Sequence, residues 1–213
     1  MKTLLDKDLK IRVGNVVLSG TLVIPESASA LVIFSHGSGS SRFSQRNKFV
    51  SNELNGDGLA SLLVDLLTPG EDTVYENRFN IKLLTSRLVE VTRHFSGTEY
   101  PMIQKIGYFG ASTGAASALM AAAELPSAIS AVVSRGGRPD LAYESLEKVV
   151  APTLLIVGGN DFQVIEFNEQ AYAVLTCEKN LQIVQGATHL FEEPGALEQV
   201  AFYATKWFGT YLS

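Results

Sequence analysis

Short apolar runs alternate with longer segments of helical period along most of the chain. The runs are Leu31 to Ser35, Leu59 to Asp65, Ile106 to Phe109, Ile129 to Ser134, Thr153 to Val157 and Leu181 to Val184. Each is short for a helix and nearly continuous in apolar character, which suits strands covered on both faces. Between them, Phe43 to Leu54 stops before Gly56, Ala115 to Leu125 stops before Pro126, and Ile81, Leu84, Leu88 and Val91 recur at spacings of three and four. A last helix gathers Leu197, Val200, Ala204, Trp207, Phe208 and Tyr211 on one face, the arrangement that covers a sheet. The start of the chain differs. Lys10 to Val13 and Val16 to Ile24 are rich in β-branched residues, and Gly14-Asn15 between them suits a hairpin turn. The pattern predicts an α/β fold: a mostly parallel central sheet with antiparallel N-terminal strands and helices on both faces.

The least regular stretch, Leu66 to Asn80, contains Pro69, Gly70, Glu71 and Asp72 and is expected to be a surface loop. No linker or repeat divides the chain, so residues 1–213 are expected to form one domain. Composition agrees: AVILMFWYC residues make up 46% and charged residues 18%, ample for one substantial core. The formal net charge of −5 does not favour nucleic acid or an anionic membrane as partner. Charges from Lys2 to Arg12 interrupt any secretory apolar segment, so a cytoplasmic location is expected. The single cysteine, Cys177, has no internal disulfide partner, and three scattered histidines suggest neither a structural metal nor a metal cofactor.

Gly110-Ala111-Ser112-Thr113-Gly114 is a Gly-x-Ser-x-Gly sequence. A pentapeptide of this form arises by chance in about one chain in fifteen of this length, so its setting carries the information. It follows the strand Ile106 to Phe109 and opens the Ala-rich helix near Ala115. A serine at such an apex protrudes, while the helix behind it directs N–H groups at developing negative charge. The bland alternative is a Gly/Ser-rich helix start. A serine hydroxyl is barely ionised near neutral pH and needs a histidine to take its proton and a carboxylate to orient that histidine. Two later loops offer one each. Thr153 to Val157 runs into Gly158-Gly159-Asn160-Asp161, and Leu181 to Val184 runs into Gly186-Ala187-Thr188-His189. In a parallel sheet these loops share one edge. Ser112, Asp161 and His189 are therefore expected to meet.

In these segments, together with Phe34-Ser35-His36-Gly37-Ser38-Gly39, the chain resembles the α/β-hydrolase superfamily, and most closely its small dienelactone-hydrolase-like branch. The resemblance covers nearly the whole length. It implies a Ser-His-Asp triad with an acyl-enzyme intermediate, and an oxyanion site built from the backbone N–H groups of Thr113 and Ser38, with Gly39 as the alternative. Dienelactone hydrolases proper use cysteine as nucleophile where this chain has Ser112. Cys177, expected late in a helical segment, does not replace it and suits a small packing residue. By the same resemblance His36 shapes its loop. His94 is expected to be an exposed helix residue, and Asp65, at a strand end, is the reserve triad acid.

The stretch between Ser134 and the next strand is too short for a large lid. An open site suits a small ester, lactone or thioester. Phe162 and Phe191 adjoin triad residues and are expected either to border substrate or to enter the core. Arg135 and Arg138 follow a strand that ends at the site edge, and with Arg42 they suggest an anionic substrate group. Their competing role is an ordinary ion pair, for instance Arg138 with Asp140 or Glu144. The expected function is that of a serine hydrolase acting on a small-molecule acyl substrate without a cofactor. A non-catalytic module, of the kind found fused to phosphoribosyltransferase domains, and an acyltransferase are the alternatives.

Overall fold

The structure is a computed structural model describing residues 2–97 and 99–213. The chain opens with β1 (Thr3–Val13) and β2 (Val16–Pro25), an antiparallel hairpin that turns at Gly14 with φ +54°. The strands β3 (Ala30–Ser35), β4 (Ala60–Val64), β5 (Lys105–Ala111), β6 (Ile129–Arg135), β7 (Thr153–Gly158) and β8 (Lys179–Val184) complete an eight-stranded sheet among the described residues. Its order is β1-β2-β4-β3-β5-β6-β7-β8, antiparallel as far as β2 with β4 and parallel thereafter. The fold is the α/β-hydrolase fold, without a large lid: only a 3-10 segment, Pro139–Lys148, lies between β6 and β7.

Burial on both faces accounts for the continuous apolar runs. Successive strand residues point to opposite sides. Phe34, Phe109, Val133 and Ile156 pack beneath α1 (Gln45–Gly56) and α6 (Ala196–Tyr211), while Ile33, Tyr108, Val132 and Leu155 pack with α3 (Ile81–Phe95) and α4 (Thr113–Glu124) on the other side. All the parallel strands end at one edge. That shared edge receives the loops that carry the candidate chemistry.

Two elements differ from expectation. The first strand begins at Thr3, well before Lys10. Its exposed Lys7, Asp8 and Lys10 hide the strand pattern, and such charges suit an edge strand because they discourage pairing with another chain. The helical segment expected before Cys177 is present as α5 (Phe162–Val174) and ends short of that cysteine. Leu66 to Asn80 holds a four-residue helix, α2 (Pro69–Asp72), and a 3-10 turn, Tyr75–Phe79.

A capping box orders α2. The Thr68 hydroxyl accepts the Glu71 N–H at 3.2 Å, and the Glu71 carboxylate accepts the Thr68 N–H at 2.8 Å. Arg87 donates to the same carboxylate at 2.8 Å and to Val13 O at 3.3 Å, tying the segment to the hairpin. Burial alone would raise the Glu71 pKa, but Thr68 and Arg87 together hold it below the ordinary value. A folded-state pKa below the unfolded one adds stability that is complete above the ordinary carboxylate range and disappears as pH falls through the folded value. Glu71→Gln keeps an oxygen for the Thr68 N–H but loses the charge paired with Arg87, and is therefore expected to cost about 0.5–1 kcal/mol near neutral pH. The gap should close in acid. Denaturant unfolding of both proteins at neutral pH and near pH 3 checks this, and an unchanged gap in acid contradicts it.

Candidate active site

Ser112 joins β5 to α4 with φ 52° and ψ −123°, a conformation that costs a non-glycine residue on the order of 1–3 kcal/mol. Hydrogen bonds to the end of β6 hold it there. Its N–H donates to Arg135 O at 3.1 Å, and its carbonyl accepts the N–H groups of Ala115 at 3.0 Å and Arg138 at 3.1 Å. The turn is tight enough to need glycine on either side. A Cβ at Gly110 would lie 2.4 Å from Ala115 Cα, and one at Gly114 would lie 2.2 Å from Ser35 O. The partly exposed hydroxyl stands above the strand ends.

Asp161 ends the loop after β7 and precedes α5, and His189 lies in the loop after β8. The two loops are stitched together. Gly159 N–H donates to Val184 O at 2.8 Å, Asn160 N–H to Ala187 O at 2.9 Å and the Asn160 amide to Gly186 O at 2.9 Å. Glu193 accepts the Thr188 N–H at 3.0 Å, and its hydrogen bonds with Thr188 hold its carboxyl below the usual carboxylate range. His189 Nδ1 lies 2.6 Å from Asp161 Oδ2, and His189 Nε2 lies 3.3 Å from Ser112 Oγ. Pairing with the carboxylate places the imidazole proton on Nδ1, which leaves Nε2 free to accept. The Asp161 side chain is 16% exposed and that of His189 is 36% exposed, so the carboxylate is sheltered and the imidazole reaches solvent. Hydroxyl, imidazole and carboxylate form one hydrogen-bonded line.

The other expected site residues fare differently. Thr113 N–H, at the first position of α4, has no acceptor among the described residues, but the Ser38 N–H donates to Thr113 Oγ1 at 2.8 Å and is not free. Arg135 is buried at 5% exposure on the α1 side of the sheet, where it donates to Asn47 Oδ1 at 3.3 Å. Burial, reinforced by nearby Arg46, lowers its pKa to about 10. Arg138 forms a two-pronged pair with Asp140, at 2.8 and 2.7 Å, and its pKa is raised by that bond. Arg42 pairs with Asp8 and Asp65. Arg138 thus takes the competing ion-pair role and Arg42 is paired with carboxylates, while Arg135 is buried with one long hydrogen bond and an Nε that has no acceptor among the described residues.

Phe191, expected to border substrate or to enter the core, enters the core at 1% exposure. Phe162 is 72% exposed beside Asp161. The reserve acid Asp65, just past the end of β4, lies with His36, just past the end of β3, Oδ1 to Nε2 3.7 Å, and His36 Nδ1 lies 3.0 Å from Gly37 O. His94 is half-exposed on α3 near Glu99. Cys177 follows α5 instead of lying within it, with Sγ 3.7 Å from Thr153 Oγ1 at the opposite end of β7 from Asp161. Burial raises its pKa, which opposes thiolate formation.

Two contributors carried little signal in the sequence. Gly136 takes φ +52°, where a side chain is strained, and a Cβ there would lie 3.3 Å from His189 O; the Gly136-Gly137 pair was its only mark. Glu193 resembles any other surface acid until the loop is folded.

A strand-serine-helix turn on this sheet defines an α/β-hydrolase-type protein. The chain belongs to the dienelactone hydrolase family, whose model matches residues 18–208. Dienelactone hydrolase from Anabaena variabilis is 52% identical, with 97% of this chain and 98% of that chain covered at a TM-score of 0.94. Est1E from Butyrivibrio proteoclasticus shares the fold at 16% identity, covering 96% of this chain and 98% of that one with a TM-score of 0.83. A Mycobacterium tuberculosis protein whose name proposes it as a phosphoribosyl transferase is 53% identical over 203 residues, which are 95% of this chain and 46% of that protein. The chain thus spans about half the length of the curated relatives it matches. No helix among the described residues is long and apolar enough to cross a membrane.

Proposed function

We propose that this chain is a serine hydrolase of small, uncharged esters, lactones or thioesters. The observation that carries the reading is the line Ser112 Oγ, His189 Nε2, His189 Nδ1, Asp161 Oδ2, at 3.3 and 2.6 Å. Ser112 Oγ bonds to the acyl carbon, its proton passes to His189 Nε2, and the carbonyl electron pair moves onto oxygen, while Asp161 stabilises the imidazolium. Collapse breaks the bond to the leaving group, which takes the proton from His189. Water then releases the acyl group through the same steps. An uncharged substrate is preferred because Arg42 and Arg138 are paired with carboxylates and Arg135 is buried in the protein.

Labelling with a fluorophosphonate probe tests the reading. The protein and its Cys177→Ala variant should both label, and Ser112→Ala should not. Undiminished labelling of Ser112→Ala would overturn the assignment. The name of the Mycobacterium tuberculosis relative raises phosphoribosyl transfer as a second reading. The residues gathered at this edge supply acyl chemistry, and we keep the hydrolase reading on that ground.

A further inference from the structure

The Ser38 N–H, expected to be a free donor for the oxyanion, points at the Thr113 side chain, 2.8 Å from Oγ1. A threonine hydroxyl has two acceptor sites and one proton to give. Elsewhere in the protein such protons are used internally: Thr85 donates to Ile81 O at 2.7 Å and Thr92 to Leu88 O at 2.8 Å. That route is closed to Thr113, because it opens α4 and the residue four before it, Phe109, lies in β5. Its hydroxyl accepts from Ser38 and donates to no group among the described residues. Its own N–H is also without an acceptor. Thr113 therefore carries two unspent donors on the residue that follows the nucleophile, at 5% exposure where water competes weakly.

Resting on the serine-hydrolase reading, we propose that the Thr113 side chain is a catalytic residue: its hydroxyl, together with its backbone N–H, binds the oxyanion of the tetrahedral intermediate. The Ser38 N–H acts one bond behind it, polarising the hydroxyl so that its proton is a stronger donor. When Ser112 Oγ bonds to the acyl carbon and its proton goes to His189, negative charge develops on the former carbonyl oxygen. The Thr113 O–H donates to that charge without transferring its proton. No reorganisation of the Ser38 contact is needed. The donor gains most in the transition state, so it acts on kcat and not on ground-state binding.

The test uses p-nitrophenyl acetate as the probe ester and fluorophosphonate titration to count reactive serines. Thr113→Val keeps the backbone N–H and puts a methyl group in place of the hydroxyl, between the Ser38 N–H and the substrate. It is expected to lower kcat about a hundredfold, as loss of one oxyanion donor does, with KM changed less than about threefold. Thr113→Ser should restore most of the rate. A thionoester analogue separates a donor from a mere loop support: sulfur accepts hydrogen bonds weakly, so the Thr113→Val defect should shrink on that probe, whereas a displaced loop would impair both probes alike. Thr113→Ala carries the same expectation if the valine variant does not fold, because Ser38 N lies a full hydrogen bond behind the lost hydroxyl. A folded variant lacking the hydroxyl that turns over as fast as the unaltered protein, or faster, overturns the proposal. Serine-dependent labelling of the unaltered protein alongside that result would leave the hydrolase reading intact, and its absence would sink the hydrolase reading itself.

Discussion

Ser112→Ala lowers turnover of p-nitrophenyl acetate by about a millionfold, equivalent to about 8 kcal/mol of transition-state stabilisation, if the hydroxyl is the nucleophile. The size follows from the way the three groups act together. Asp161 orients an imidazole whose only reacting neighbour is Ser112 Oγ, 3.3 Å away, so removing the hydroxyl leaves the other two groups with nothing to activate. Adding His189→Ala to the serine variant should then cost little more, since each single loss already disables the unit. Stability should barely change, because among the described residues the hydroxyl makes no hydrogen bond besides the one to His189. Single-turnover rates on folded variants of matched thermal stability check both points. Activity of Ser112→Ala within a few-fold of the unaltered protein would show that the aligned groups do not carry the turnover.

The parts of this arrangement visible in the sequence are those fixed by local backbone rules. A short apolar strand, a serine between glycines and an Ala-rich helix describe an elbow before any coordinate is known. Asp161 and His189 follow because parallel strands deliver their C-terminal loops to one edge. What stayed hidden depends on side-chain direction and competition for partners. Arg135 alternates to the α1 face and packs by Asn47, a choice the spacing does not encode, whereas the pair of Arg138 with Asp140 two residues along was one of the two roles its sequence offered. Phe191 adopts φ +56° and enters the core, although it is only two residues from a histidine that reaches solvent. The Ser38 contact with Thr113 joins the loop after β3 to the first residue of α4, so periodicity says nothing about it. Likewise β1 alternates charges on an edge strand, and a pattern of buried positions cannot register residues that are not buried.

Gly114→Ala, a change of one methyl group, is expected to destabilise the fold by about 2–4 kcal/mol and to lower activity at least about a hundredfold. The new Cβ would stand 2.2 Å from Ser35 O and 2.5 Å from His36 O. These are backbone atoms at the end of β3, and no side-chain rotation relieves the clash. The start of α4 has to move away from β3, carrying Ser112 and Thr113 with it, while His189 stays tied to the β7 and β8 loops. Misplacement of about 1 Å between reacting groups is enough for a hundredfold loss. Gly56→Ala is the matched control. It lies in the last turn of α1, where a Cβ would meet nothing within 4 Å, so that variant should be as stable as the unaltered protein or more so by up to about 1 kcal/mol. Urea unfolding and fluorophosphonate labelling rates of the two variants measure the contrast. If Gly114→Ala unfolded at the same urea concentration as Gly56→Ala and labelled as fast, the elbow would have to be far looser than its contacts with β3 require, and the placement of Ser112 would lose its structural basis.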